Sequence, residues 1–166
     1  MSRYNAIISN DVVNGHGVCT SFFVQGCPHH CPGCFNEETW DFKGGQPYTP
    51  EVKWEIIKSI GANGLQRNFS ILGGEPLALQ NLEMVNEVIS AVRHAYPDIE
   101  VCLWTGYTLE ELQARPSEDL SNILNQIDIL IDGQFINEQK DLNLQLRGST
   151  NQRIWKRNND SWEQIE

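Results

Sequence analysis

The chain has 166 residues and a formal net charge of −10; 40% of its residues are apolar and 20% charged. That length suits one domain with its own hydrophobic core, and the composition is that of an ordinary globular protein. So acidic a chain is not built to grip nucleic-acid backbones. Nor does any apolar run approach the about 20 residues that span a bilayer, and residues 1–15 lack a signal-peptide core. A cytoplasmic protein is expected, without nucleic-acid or membrane partners. In that compartment clustered cysteines point to metal or catalysis before disulfides.

Tyr4–Ser9 and Ser21–Gln25 are predicted strands, the second built around Phe22-Phe23-Val24. A loop rich in Gly, Pro, Cys and Asn follows, from Gly26 to about Pro47, and loops of that length tend to carry function. It contains CPHHCPGC, residues Cys27 to Cys34, with three thiols and no fourth nearby. Thr49-Pro50 opens a helix with a hydroxyl cap and a proline in the first turn; Val52, Ile56 and Ile60 form its buried stripe. Asn68–Leu72 is a strand running into Gly73-Gly74-Glu75-Pro76. Leu82, Val85, Ile89 and Val92 define a second helix, stopped by Pro97. Ile99–Thr105 is a strand followed by Gly106. Thr108 and Glu111 form a capping box for a third helix, interrupted near Pro116 and resumed over Leu120–Leu124. Ile127–Ile131 is a strand ending at Asp132-Gly133, and a last strand is expected at Arg153–Lys156.

This alternation is the rhythm of right-handed parallel βαβ units. In such sheets ligands sit at the carboxyl ends of the strands. Gly26-Cys27, Gly73-Gly74-Glu75-Pro76, Thr105-Gly106-Tyr107 and Asp132-Gly133 are therefore expected on one rim. A complete (β/α)8 barrel takes about 250 residues. The expectation here is an α/β fold: a partial, open barrel of mostly parallel strands, with residues 1–166 as a single domain.

The cysteine triplet admits several readings. A closed zinc site takes four ligands; His29 or His30 could complete one, which leaves a zinc-stabilised interaction module open. A four-iron, four-sulfur cluster is usually held by four thiolates, and a plain electron carrier would want all four. Three thiolates leave one iron without a protein ligand, and an incompletely ligated metal is a reactive one. Cys19 and Cys102 stand alone and read as buried, apolar-like residues. His16, His29, His30 and His94 read as surface or loop histidines. Arg147, Arg153, Lys156 and Arg157 cluster in sequence, as a solvated surface or an anionic contact.

The C-x3-C-x2-C spacing directly after a strand, with Gly73-Gly74-Glu75-Pro76 after the next strand, resembles the radical S-adenosylmethionine superfamily. Residues 11–45, which include CFNEETW after the triplet, resemble its branch of glycyl-radical-enzyme activases. Residues 132–155, with Asp132-Gly133, Arg147-Gly148-Ser149 and Asn151-Gln152-Arg153, are similar to the members that serve the anaerobic ribonucleoside-triphosphate reductase.

The resemblance implies one [4Fe-4S] cluster on Cys27, Cys31 and Cys34. It also implies S-adenosylmethionine held by Gly33, Cys34, Phe35, Gly73, Gly74, Glu75, Pro76, Thr105 and Asp132, with the Gly-Gly-Glu-Pro turn on the methionine ammonium. An external low-potential donor would reduce the cluster. The cofactor would split into methionine and a 5′-deoxyadenosyl radical, which takes a hydrogen atom from a glycine of the reductase's large subunit. No general base is implied. Many superfamily members place an aromatic just before the third cysteine; here Gly33 stands there and Phe35 lies on the other side of Cys34. A small-molecule substrate is the alternative within the superfamily.

Overall fold

The computed structural model describes residues 2–166. Strands β1 (Arg3–Asp11) and β2 (Cys19–Val24) are antiparallel neighbours, and the two-residue β3 (Gln46–Pro47) pairs antiparallel on the far side of β1. The chain then alternates through α1 (Pro50–Ile60), β4 (Asn68–Gly73), α2 (Leu82–Ala95), β5 (Val101–Trp104), α3 (Leu109–Ala114), α4 (Glu118–Leu124) and β6 (Ile129–Asp132). β7 (Arg153–Asn158) and β8 (Ser161–Gln164) finish it as an antiparallel hairpin. The sheet is open, in the order β3-β1-β2-β4-β5-β6-β7-β8.

The α/β class is as expected, but the strand directions are not mostly parallel. β2, β4, β5 and β6 form a parallel centre. The four pairings outside it are antiparallel. Connection length accounts for two of these four, β1–β2 and β7–β8: a parallel crossover takes a dozen or more residues. Residues 12–18 are too few to make one between β1 and β2, and Asn159-Asp160 can only close a hairpin. β8 was not expected from the sequence.

The predicted helices form on the predicted residues. Val52, Ile56 and Ile60 are the buried positions of α1, with Pro50 in its first turn; Thr49 has cap-like extended backbone, but its hydroxyl makes no capping bond. α2 buries Leu82, Val85, Ile89 and Val92, with Met84 and Val88 beside them. Thr108 and Glu111 make the reciprocal capping box of α3, and Ser117 caps α4.

Strand alternation sorts the core. Phe22, Val24, Phe69, Ile71, Val101, Leu103 and Leu130 pack with the helices in one large cluster. The residues between them look the other way, where Cys102, Ile129, Ile131 and Ile154 form a smaller cluster flanked by Trp104 and Leu146. Cys19 and Cys102 are both buried. Among the described residues no helix is long and apolar enough to cross a membrane.

A buried ion pair fastens the antiparallel edge to the parallel centre. Asp132, at the end of β6, is fully buried and accepts from Arg153 of β7 (Nε at 3.0 Å, Nη2 at 2.5 Å) and from the Leu109 amide at the start of α3 (2.8 Å). Arg153 also grips the exposed Glu110 at 2.6 Å. Arg157 donates to the carbonyls of Ile127 and Asn159, and Arg147 to that of Gln152. Three of the four clustered basic residues thus bond within the fold rather than standing as a solvated basic patch.

Replacing Arg153 by Met strands a buried carboxylate and is expected to cost about 3 kcal/mol. Replacing Glu110 by Ala, at the exposed end of the same guanidinium, should cost under about 1 kcal/mol. Urea denaturation midpoints of the two variants check this; equal losses would contradict the assignment.

Candidate functional site

The carboxyl ends of the four parallel strands meet because backbone crosses backbone there. The Gly74 amide donates to Val24 O (2.9 Å) and the Glu75 amide to Gly26 O (2.8 Å). A Cβ on Gly74 would overlap the Gly26 carbonyl, so the turn after β4 can lie against the end of β2 only as glycine. Gly26 itself has φ +101°, and a Cβ there would enter the Phe42 ring. The long loop is held by its partners: Gly26 and Cys27 amides donate to Thr39 O and Trp40 O, and buried Gln25 donates to the Glu38 and Asp41 carbonyls.

Glu75 is the junction of this rim. It is 1% exposed, and its carboxylate accepts four hydrogen bonds. Oε1 takes the Leu77 amide (2.9 Å) and the Thr105 hydroxyl (2.8 Å); Oε2 takes the Gly106 amide (2.7 Å) and His29 Nε2 (2.7 Å). A carboxylate has about four lone-pair positions, and all are occupied. Asn81, also buried, donates to Glu75 O at 2.9 Å and secures the backbone beneath.

A cavity of about 130 Å³ lies over this junction, lined by Cys27, His29, Cys31, Cys34, Asn36, Trp40, Leu72, Gly73, Gly74, Glu75, Trp104, Thr105, Gly106, Gly133, Phe135 and Gln152. The expected convergence of all four strand ends is therefore present. Cys34, Asn36, Leu72, Trp104, Phe135 and Gln152 also line an adjoining cleft of about 820 Å³, walled by residues 12–16 and 144–148.

Cys27, Cys31, Cys34, Gly73, Gly74, Glu75 and Thr105 are thus brought together. Phe35 stands in the larger cleft, tilted against Phe135 at 5.1 Å. Gly33, Pro76 and Asp132 do not line the smaller cavity; Asp132 is committed to Arg153 and α3. The Thr105 hydroxyl is spent on Glu75. Sequence reasoning missed His29, Asn36, Trp40, Trp104, Phe135 and Gln152. His29 lies inside the cysteine triplet, Asn36 and Trp40 inside CFNEETW and Gln152 inside Asn151-Gln152-Arg153, whereas Trp104 and Phe135 carry no signal.

The donor set fits an iron–sulfur cluster. Three thiols sit on one eight-residue loop and face one cavity, and thiolate is the ligand such clusters take. One backbone amide points at a sulfur, Asn36 N–H donating to Cys34 Sγ at 3.3 Å, and the Cys34 amide closes the turn onto the Cys31 carbonyl at 3.1 Å. Among the described residues no three His, Cys, Asp or Glu side chains stand at the spacing of a single-ion site. A cubane does not require that spacing, because each thiolate binds a separate iron. Burial pushes the Cys27 thiol up to about 11, against the His29 amide, which favours its thiolate. Burial also raises Cys31, while the Phe135 amide pulls the other way and the neighbouring Cys34 adds to the rise.

Residues 13–155 match the family described as "4Fe-4S single cluster domain". A relative from Vibrio cholerae, named anaerobic ribonucleoside-triphosphate reductase-activating protein, is 41% identical over 153 residues, covering 92% of this chain and 96% of its own. Relatives of the same name are 37% identical in Escherichia coli, over 90% of this chain and 96% of theirs, and 33% identical in Enterobacteria phage T4, over 96% and 97%.

A raised thiol has a definite pH signature. The folded Cys27 lies near 11 against an ordinary 9.0, so its contribution to the stability of the metal-free protein is whole below pH 9.0 and is lost as the pH climbs toward 11. Iodoacetamide labelling of Cys27 in metal-free protein, followed by peptide mass spectrometry, should keep accelerating with pH beyond 9.0. A half-maximal rate near pH 9.0 would contradict the burial argument.

Proposed function

We propose that this chain, which belongs to the family of anaerobic ribonucleoside-triphosphate reductase-activating proteins, is a radical S-adenosylmethionine activase that places a radical on a glycine of the reductase's large subunit. The observation that carries this reading is the meeting of Cys27, Cys31 and Cys34 with the ends of four parallel strands in one cavity. When bound, the cluster would supply the electron for reductive cleavage of S-adenosylmethionine, and the cofactor would supply the hydrogen-abstracting radical that acts on the glycine Cα.

The chain's own residues position and protect. Cys27, Cys31 and Cys34 would hold the cluster by three thiolates, one fewer than a cubane has irons. Gly73 and Gly74 let backbone approach the methionine end closely, and Glu75 keeps a negative charge beside its ammonium. Thr105 acts on that end through Glu75. Asp132 acts from outside the cavity, by anchoring α3 and β7 at the end of β6. Pro76 stiffens the turn. Gly33, at φ +77°, lets the loop reverse beside Cys34. Phe35 and Phe135 supply an apolar pair between the two cavities, suited to adenine. Leu72 and Trp104 keep water from the reacting centre, and close positioning of cofactor and target is the main catalytic device.

The larger cleft is the side from which a polypeptide glycine would arrive. In this reading the whole chain works as one domain, and its parallel centre is an open partial barrel. Reduction comes from an external low-potential donor in the cytoplasm, and neither nucleic acid nor membrane takes part.

The test is anaerobic. Reduced protein, S-adenosylmethionine and the large reductase subunit should together give a glycyl doublet in electron paramagnetic resonance. Cys31→Ala should abolish both cofactor cleavage and the doublet. Cleavage without a doublet in the wild type would point to a small-molecule substrate, and cleavage retained in Cys31→Ala would overturn the ligand assignment.

A further inference from the structure

His29 sits between the first two cysteines, yet its side chain is only 9% exposed. Its Nε2 meets Glu75 Oε2 at 2.7 Å, and its Nδ1 lies 3.3 Å from Gln134 Nε2. An amide nitrogen only donates, so Nδ1 accepts and Nε2–H donates to the carboxylate. The ring stands edge-on to Tyr107, centroids 4.6 Å apart. It lies so close to Gly106 that a Cβ there would be 2.5 Å from it. Three segments, the 73–76 turn, Gly106-Tyr107 and Gln134, therefore enclose one imidazole.

Among the described residues, this is the one side-chain hydrogen bond between residues 27–34 and the turn at 73–76. The thiols ride on the first segment, and the turn offers the cofactor face. We infer that His29 is a positioning residue, which holds the cysteine loop against the Gly73–Pro76 turn through Glu75 and so sets the placement of the iron site relative to bound S-adenosylmethionine. The inference rests on the function proposed above and adds a residue to it. It also explains the fourth donor on Glu75: without the imidazole, Oε2 keeps only the Gly106 amide, and residues 27–34 lose their side-chain bond to the turn, leaving the backbone bond from the Glu75 amide to Gly26 O.

Two substitutions separate positioning from bulk. Gln reaches as far as Nε2 and can donate to Glu75; Asn reaches only as far as Nδ1. Equilibrium dialysis of reconstituted protein should show S-adenosylmethionine binding weakened at least about tenfold in His29→Asn. His29→Gln should stay within about threefold of wild type. Adding the cofactor should change the resonance spectrum of the reduced cluster in wild type and His29→Gln, but little in His29→Asn. In metal-free protein, hydrogen exchange over residues 27–34 should be faster in His29→Asn and unchanged in His29→Gln, a readout that needs neither cluster nor turnover. Equal binding and exchange in the two variants would overturn the inference. Failure of the wild type itself to bind S-adenosylmethionine would instead overturn the proposed function.

Discussion

A carboxylate taken out of water costs several kcal/mol unless its oxygens find donors, and the fold answers that demand at Glu75. Its four donors come from its own turn, from the end of β5 and from the cysteine loop. None of these segments carries a helix or strand that would hold it there. The buried charge orders them because leaving any acceptor position empty is unfavourable. The cavity lies over this group, and the three thiols and the glycine turn both line it.

Asp132 answers the same demand differently at the next strand but one. Its partners are the Arg153 guanidinium and the first amide of α3, and it lies outside the cavity. Two buried carboxylates thus end two parallel strands with opposite consequences. Among the described residues no guanidinium or ammonium bonds to Glu75, whose partners are two amides, a hydroxyl and an imidazole. At Asp132 the charge is already matched, and the residue serves the join between β6, β7 and α3.

The two faces of the sheet are used as unequally as the two carboxylates. All four helices pack on one face, where the large core forms. The other face keeps a small cluster and opens, between residues 12–16 and 144–148, into the cleft that adjoins the cysteines. The activase proposed above, acting on a glycine within another polypeptide, would use such an uncovered side.

Much of this was written locally. The stripe of Val52, Ile56 and Ile60, the capping box of Thr108 and Glu111, and the glycines that end β2 and β4 depend on residues a few positions apart, so periodicity and turn chemistry reveal them. The cysteine triplet is legible for the same reason. Tertiary structure decided what depends on distant partners. It turned the edge strands antiparallel, β1–β2 and β7–β8 because their connections are too short to cross over, and it set Arg153 against the buried Asp132, 21 residues away. It also moved His29 from a loop histidine to a bond with Glu75, 46 residues on. A side chain's neighbours across the sheet leave no periodic trace in its own segment, and only the folded chain brings them within hydrogen-bonding distance.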